Sequence, residues 1–212
     1  LAILGIPGAH GLHCYAGFVF GSLKSREWWS SDLMPVIFLF SAIISGVSLL
    51  AVLYVASCKL RKVTIDQACV KGLAYTIWGF IMVALLLEGL EFANLVYKGR
   101  EGIEVIMDYV TGRLLIPFFI LQFAIGAIIP FLLLSYMIWR GTTGRALIVG
   151  VTLCACLVMF SVFMMRWNVV IGGQEISKTG RGLLSYQLQF FGHEGLLVAA
   201  LLLLAPLATL FG

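Results

Sequence analysis

Long apolar runs separated by short polar stretches dominate the chain. Six runs approach or exceed the length of a membrane span, at residues 1–23, 34–57, 72–97, 114–139, 146–165 and 194–212. About 20 apolar residues suffice to cross the roughly 30 Å hydrocarbon core as a helix, because each residue advances it by about 1.5 Å. None of the runs alternates in the pattern of a membrane β-barrel. The pattern therefore predicts an all-α, polytopic transmembrane helical bundle with six spans in this chain.

Composition supports a membrane protein, because 61% of the 212 residues are hydrophobic and only 11% are charged. An ordinary soluble domain has roughly 25% charged residues. The chain starts and stops inside apolar runs and has no signal-peptide pattern at Leu1. We therefore expect residues 1–212 to be a single integral membrane domain that is a fragment, with helices missing at the N-terminus or at either end.

Basic residues cluster in two of the predicted loops, 58–71 and 140–145, which carry Lys59, Arg61, Lys62, Lys71, Arg140 and Arg145 against the single acid Asp66. The positive-inside rule places these loops in the cytoplasm. The stretch RWNVVIGGQ, residues 166–174, then faces outward. Basic helix ends beside anionic lipid account for the net charge of +4, so no nucleic-acid partner is expected.

Cysteine spacing gives no sign of a metal cofactor in this chain. Five cysteines are present, but no CxxC, no CxxCH and no run of four occurs. His10 and His13 share one face of the first span, where they bind a quinone carbonyl, ligate a b-type haem, or bond a neighbouring helix. Gly17 and Gly21 form a stripe that lets another helix approach closely.

Ionisable side chains inside spans point to function, since each costs about 2.5 to 3.5 kcal/mol at mid-bilayer. Glu88 and Glu91 lie about one turn apart on the third span. Two such carboxylates could bind and release protons, or one could form a structural ion pair with Arg166. Gln122 lies between Pro117 and Pro130, which are expected to kink the fourth span and shape a cavity that Gln122 lines.

Polar residues also gather where the fifth span runs out. They are Arg166, Asn168, Gln174, Tyr186 and His193, and Gly172 and Gly173 free the backbone between them. They form either a solvated loop with a snorkelling arginine, or a docking surface for a partner above a head-group pocket, with Tyr186 and His193 as donors. Trp28, Trp29 and Trp139 at span ends fit an interfacial aromatic belt.

The run GSLKSREWWSSDLMPVIFLFSAIISGVSLL, residues 21–50, resembles the signature of the NrfD/PsrC family of quinone-interacting membrane subunits. RWNVVIGGQ resembles the HybB/DsrP branch, whose DsrP type belongs to the sulfite-reduction-associated DsrMKJOP complex. The resemblance implies a whole subunit of eight to ten spans, without haem or iron-sulfur cluster. It also implies a bound menaquinone or ubiquinone near the outer face, a ferredoxin-like iron-sulfur partner docked there, and the cytoplasmic membrane of a bacterium or archaeon.

The residues and the resemblance together predict a quinone-reactive subunit of a respiratory redox complex. The expected roles are as follows: Glu88 and Glu91 exchange protons; His13, His193, Tyr186, Arg166 and Gln122 bind the quinone; and Asn168, Gly172, Gly173 and Gln174 dock the partner. Two alternatives are a b-type cytochrome anchor, which needs a second axial histidine such as His193, and a secondary transporter, which is expected to show inverted repeats.

Overall fold

The computed structural model describes residues 2–24, 28–98 and 103–176, together with 197, 198 and 201. The elements, in chain order, are α1 (Ala2–Gly21), α2 (Met34–Leu60), α3 (Gln67–Lys98), α4 (Ile103–Thr111), the π-helix π1 (Leu115–Ile128), α5 (Ile129–Trp139), α6 (Gly144–Trp167), the π-helix π2 (Asn168–Gly172) and a last turn Gly173–Glu175. The predicted all-α bundle is confirmed.

Four helical segments within the described part of the chain are long and apolar enough to cross a membrane. They are Met34–Leu60, Gln67–Tyr97, Leu115–Trp139 and Gly144–Glu175. These match the second to fifth predicted runs, so the chain is a multi-pass membrane protein. The first run forms α1, and the sixth, 194–212, lies outside the described residues except for 197, 198 and 201.

Helix α6 is at the centre of the bundle and packs against α2, α3, α5 and π1. Its face Val151, Cys154 and Val158 is buried in a core shared with Ile77 of α3 and Leu134 of α5. Without a hydrophobic force between helices in lipid, such bundles depend on close packing of small residues. The resulting scaffold holds α2, α3, π1 and α6 around the interior space described below.

The close approach predicted for the Gly17 and Gly21 stripe is confirmed. A Cβ added at Gly17 would lie 2.6 Å from the carbonyl oxygen of Met34, and one at Gly21 would lie 2.5 Å from that of Ser31. Both distances are far below ordinary van der Waals contact, so only glycine allows α1 to rest on the start of α2. Residues 5–12 of α1 are exposed.

The two basic loops lie at the same end of the bundle. Gln67, at the start of α3, accepts a hydrogen bond through Oε1 from the backbone N–H of Gly144, at the start of α6, at 3.0 Å. The short turns before these helices use left-handed backbone at Lys62 and Gly141, with φ of 53° and 61°. Which side of the membrane this end faces stays a prediction.

The predicted kinks at Pro117 and Pro130 take another form. Pro117 lies in the first turn of π1, and Pro130 lies in the first turn of α5. The chain between them is wound as a π-helix, a rare conformation that is frequent at functional sites. Gln122, in the middle of π1, is buried with 2% of its surface exposed.

The prediction of a polar loop directly after residue 165 is wrong, because the span continues as helix to Glu175. Asn168, which the sequence assigns to a partner-docking surface, is 1% exposed. Acceptors on π1 satisfy its amide nitrogen, so the segment can remain helical and buried. The short helix α4 was also not predicted.

Candidate functional site

A cavity of about 70 Å³ lies between α2, α3, π1 and the α6–π2 segment. Its walls are largely apolar and include Phe92, Phe118 and Met165. Its polar lining comes from residues that the sequence singled out, namely Glu88, Glu91, Gln122 and Asn168. An apolar pocket with a few convergent polar groups is the usual form of a small-molecule site.

A directed chain of hydrogen bonds crosses this cavity from helix to helix. Gln122 Nε2 donates to Glu88 Oε2 at 2.9 Å, and Asn168 Nδ2 donates to Gln122 Oε1 at 2.8 Å. Asn168 Nδ2 also donates to the carbonyl oxygen of Pro117 at 3.2 Å. Because a backbone carbonyl only accepts, the Asn168 amide is fixed with its nitrogen towards π1. Each amide nitrogen is therefore a donor in this chain: Asn168 donates to Gln122, and Gln122 donates to the Glu88 carboxylate.

Glu91 has a different partner from Glu88. Ser31 Oγ, in the segment between α1 and α2, donates to Glu91 Oε2. The same oxygen of Ser31 accepts from the backbone N–H of Leu33 at 3.1 Å, which holds the serine in place. Sequence reasoning missed Ser31, because nothing in a short polar loop signals which serine will reach a carboxylate 60 positions away.

Glu88 also borders a second, smaller cavity of about 30 Å³. Ser41 of α2 and Ser161 of α6 supply the other polar side chains of this space. Ser161 Oγ donates to the backbone carbonyl oxygen of Gln122 at 3.0 Å. The Glu88 carboxylate is therefore the polar group that the two interior spaces share.

Arg166 forms no ion pair with a buried glutamate in the described part of the chain. It instead donates to Ser41 Oγ at 3.1 Å and lies over the ring of Phe38, 5.0 Å from its centroid. Ser41 Oγ in turn donates to the backbone carbonyl oxygen of Phe38 at 2.8 Å. Arg166 thus joins α6 to α2, and it lines neither cavity.

His10 and His13 also lie apart from the cavity. Each bonds a carbonyl of its own helix through Nδ1, His10 to Ile6 at 2.7 Å and His13 to Ala9 at 2.8 Å. The Nδ1 atom of each histidine is therefore engaged within α1, and the roles considered for His10 and His13 stay predictions. Tyr186 and His193 fall outside the described residues.

The four residues predicted to dock a partner separate into two groups. Asn168, Gly172 and Gly173 are buried, whereas Gln174 is exposed. The indole of Trp29 covers this turn and is itself only 6% exposed, so Trp29 is a packing residue and not part of an interfacial belt. Trp139, 84% exposed at the end of α5, has the position that such a belt requires.

The short helix α4 closes over the same end of the bundle as the cavity. Its buried residues Ile106, Tyr109 and Val110 pack with Leu114 and Ile176, and with the cavity-lining residue Phe118. The Tyr109 hydroxyl donates to the Glu175 carboxylate and so ties α4 to the end of the span Gly144–Glu175. Burial is the largest cause that raises the pKa of Tyr109 above its ordinary value. The hydrogen bond to Glu175 and the negative charge of Glu175 raise this pKa further.

A pair of carboxylates held by amide and hydroxyl donors lies inside a multi-pass helical bundle. The chain is 31% identical over 172 residues to a subunit of the selenate reductase of Mesobacillus selenatarsenatis, an alignment that covers 81% of this chain and 38% of that protein. No solved structure matches the chain significantly. Neither result separates the HybB/DsrP branch from its relatives, so that branch stays a prediction. The family model described as polysulphide reductase, NrfD, matches residues 1–177, and the chain therefore belongs to the NrfD family.

Proposed function

We propose that this chain is the quinone-reactive membrane subunit of a respiratory oxidoreductase complex in the cytoplasmic membrane of a bacterium or archaeon. It binds menaquinone or ubiquinone in the 70 Å³ cavity. It exchanges electrons with a docked iron-sulfur subunit and carries no haem or iron-sulfur cluster of its own. Glu88 and Glu91 take up or release the protons of the quinone.

The observation that carries this proposal is the convergence of Glu88 and Glu91 on one apolar cavity inside the bundle. Oxidation of a quinol releases two electrons and two protons, and the protons need bases within reach of the ring. Two carboxylates with separate hydrogen-bond partners, Gln122 and Ser31, are placed to take one proton each. Carboxylates are rare inside spans, and where they occur they commonly mark proton or substrate paths.

The cavity also suits a ring. Its volume has room for roughly five water molecules, and Phe92 and Phe118 provide flat apolar walls. Aromatic side chains pack favourably against rings in stacked or edge-on arrangements. The ring of Phe118 already contacts that of Trp28 edge-on, with centroids 6.0 Å apart.

The proposed site consists of Glu88, Glu91 and Gln122, to which we add Asn168 for its bond to Gln122. Tyr186 and His193 remain proposed donors to the quinone from outside the described residues. We leave His13 and Arg166 out, since they bond elsewhere. Gln174, exposed near the end of the span Gly144–Glu175, remains the proposed contact for the iron-sulfur partner.

The similarity to part of a selenate reductase supports a reductase complex as the setting. This chain spans 38% of the length of that relative. The quinone chemistry proposed here is independent of the terminal acceptor, whether a selenium or a sulfur compound, because the cavity concerns only the quinone side of the reaction.

The test is quinol-linked electron transfer by the intact complex purified from its native membrane. Glu88→Gln and Glu91→Gln are each expected to lower the rate at least about tenfold, because an amide cannot take the proton. Asp66→Asn is the matched control, since Asp66 lies about 30 Å away along α3 and caps the helix by accepting from the N–H of Ala68 at 2.9 Å.

Wild-type rates in both glutamate variants would refute the assignment of the protons to these residues. A Soret band that belongs to this subunit would favour the cytochrome alternative. Solute uptake that persists in the absence of every redox partner would favour the transporter.

A further inference from the structure

Two buried hydrogen-bonding atoms on residues that line the cavity have no partner among the described residues. They are Nε1 of Trp28, which can only donate, and Oδ1 of Asn168, which can only accept. Native proteins rarely leave such atoms unsatisfied, because the cost of removing them from water is then not recovered. A donor and an acceptor left over in one cavity indicate a ligand that supplies both complementary groups.

The identity of the free atom on Asn168 is set by its neighbours. Its Nδ2 donates to the Pro117 carbonyl oxygen at 3.2 Å, and a flipped amide would bring two oxygens together there. Its second bond, to Gln122 Oε1 at 2.8 Å, agrees with the same orientation, because Gln122 must present Nε2 to the Glu88 carboxylate. The free atom is therefore the acceptor oxygen, held on a residue only 1% exposed.

Packing also fixes the position of Trp28 Nε1, the donor that has no partner among the described residues. The indole packs edge-on against Phe118 and lies over Gly172, where an added Cβ would come to 3.7 Å from Nε1. Gly172 is one helical turn after Asn168, so both unsatisfied residues belong to the same part of the cavity wall. Neither side chain can turn away to find another partner without disturbing this packing.

We infer that the cavity is selective for the reduced, hydroxylated form of the quinone, with Asn168 Oδ1 accepting from a ring hydroxyl and Trp28 Nε1 donating to a ring oxygen. This inference rests on the proposed function. A quinol hydroxyl both donates and accepts, so quinol satisfies both protein atoms. A quinone carbonyl only accepts, so quinone satisfies Trp28 and leaves Asn168 Oδ1 buried without a donor. A site built around a hydrogen bond discriminates strongly against the ligand that lacks it.

The expected preference is about tenfold in favour of quinol. Tighter binding of the reduced form raises the midpoint potential of the bound two-electron couple, by about 30 mV for each tenfold difference in affinity. The dissociation constants of menaquinol and menaquinone with identical short tails can be measured separately on the intact complex, the quinol under anaerobic reducing conditions.

Three variants separate the roles of the two atoms. Asn168→Leu is expected to weaken quinol binding about tenfold and to leave quinone binding unchanged. Trp28→Phe keeps the ring packing and is expected to weaken both forms by a similar factor. Ser48→Ala is the control, because Ser48 Oγ is a buried, unpartnered atom on a residue that does not line the cavity.

The dissociation constants of menaquinol and menaquinone with the wild-type complex test the inference without any variant. Equal affinities for the two forms would overturn the inference and leave the proposed function standing, with water satisfying the two atoms. Failure to bind either form would overturn both.

Discussion

Trp29 Nε1 donates a hydrogen bond to the backbone carbonyl oxygen of Val169 at 2.6 Å, across 140 positions of sequence. The bond joins the segment that precedes α2 to π2, near the end of the span Gly144–Glu175. The Val169 carbonyl oxygen also accepts from the backbone N–H of Gly173, so the indole is a second donor to an oxygen that has two lone pairs. The same indole lies directly over Gly173, so this contact sets which glycine of the pair is essential.

We predict that Gly173→Ala destabilises the protein and Gly172→Ala does not. A Cβ at Gly173 would overlap the Trp29 indole, whereas one at Gly172 would meet Leu114 at 3.5 Å, an ordinary contact. Overpacking of this kind costs about 1 to 3 kcal/mol. In a chain of this size, each kcal/mol lowers the Tm by roughly 2 to 4 °C. Fluorescence-detected size exclusion after heating measures the difference, and equal Tm values in the two variants would contradict the packing described for Trp29.

Gly126→Ala is expected to be similarly destabilising, because the added methyl would overlap Ser161 where α6 rests on π1. Gly79→Ala is its control, since no atom beyond its chain neighbours and the nearby backbone of its own helix lies within 4 Å of a Cβ at that position. Alanine is the better helix former by about 1 kcal/mol, so the control should be neutral or slightly stabilising. A double variant, Gly126→Ala with Ser161→Gly, should recover part of the lost Tm, and no recovery would argue against direct contact.

Replacing Gln122 by leucine should lower quinol-linked electron transfer about tenfold, equivalent to about 1.4 kcal/mol in the activation free energy. The substitution removes the amide on π1 that donates to the Glu88 carboxylate. Gln67→Leu provides the matched control at the other end of the bundle, where the glutamine bonds the N–H of Gly144. A rate in Gln122→Leu equal to that in Gln67→Leu would remove Gln122 from the site.

The link between Tyr109 and Glu175 predicts a dependence of stability on alkaline pH. Burial and Glu175 raise the pKa of Tyr109 in the folded protein above the ordinary value of 10.0. A raised pKa means that the stabilising contribution is complete below about pH 10 and declines as pH rises from there towards the folded pKa. The free energy of unfolding of the wild type should therefore fall above about pH 10 more steeply than that of Tyr109→Phe.

Phenolate absorbance offers a second measurement of the same contact. The difference titration between wild type and Tyr109→Phe should show no signal until the pH is well above the ordinary tyrosine pKa of about 10. A difference signal centred near that ordinary value would show that α4 does not hold the tyrosine in a buried site.

The spans were predictable because long apolar runs leave little choice of structure in a bilayer. Met34–Leu60 and Leu115–Trp139 agree with the predicted runs 34–57 and 114–139 within a few residues. Residues 166–175 were not predictable in the same way. Their polar side chains suggest a loop when considered alone, and they remain helical because Asn168 finds Pro117 and Gln122 on another helix.

The candidate site was predictable in its chemistry and only partly in its membership. Glu88, Glu91 and Gln122 stood out because polar groups inside apolar runs are costly. Asn168 was assigned to a docking surface, and Ser31 and Trp28 were not assigned to the site, because their positions at span ends have an ordinary interfacial explanation. Pairings over long sequence separations, such as Ser31 with Glu91, depend on helix packing that a single sequence does not specify.

The wide winding of π1 has an evolutionary consequence. Pro117 and Gln122 are five residues apart, and both accept from the one amide nitrogen of Asn168. In an α-helix, positions five apart diverge by about 140° around the axis, and a single side chain could not reach both. A homologue whose segment between the two prolines is short enough to wind as an ordinary α-helix would turn its glutamine away from Glu88. The number of residues between Pro117 and Pro130, more than the identity of any one of them, therefore indicates which relatives share this chain of amides.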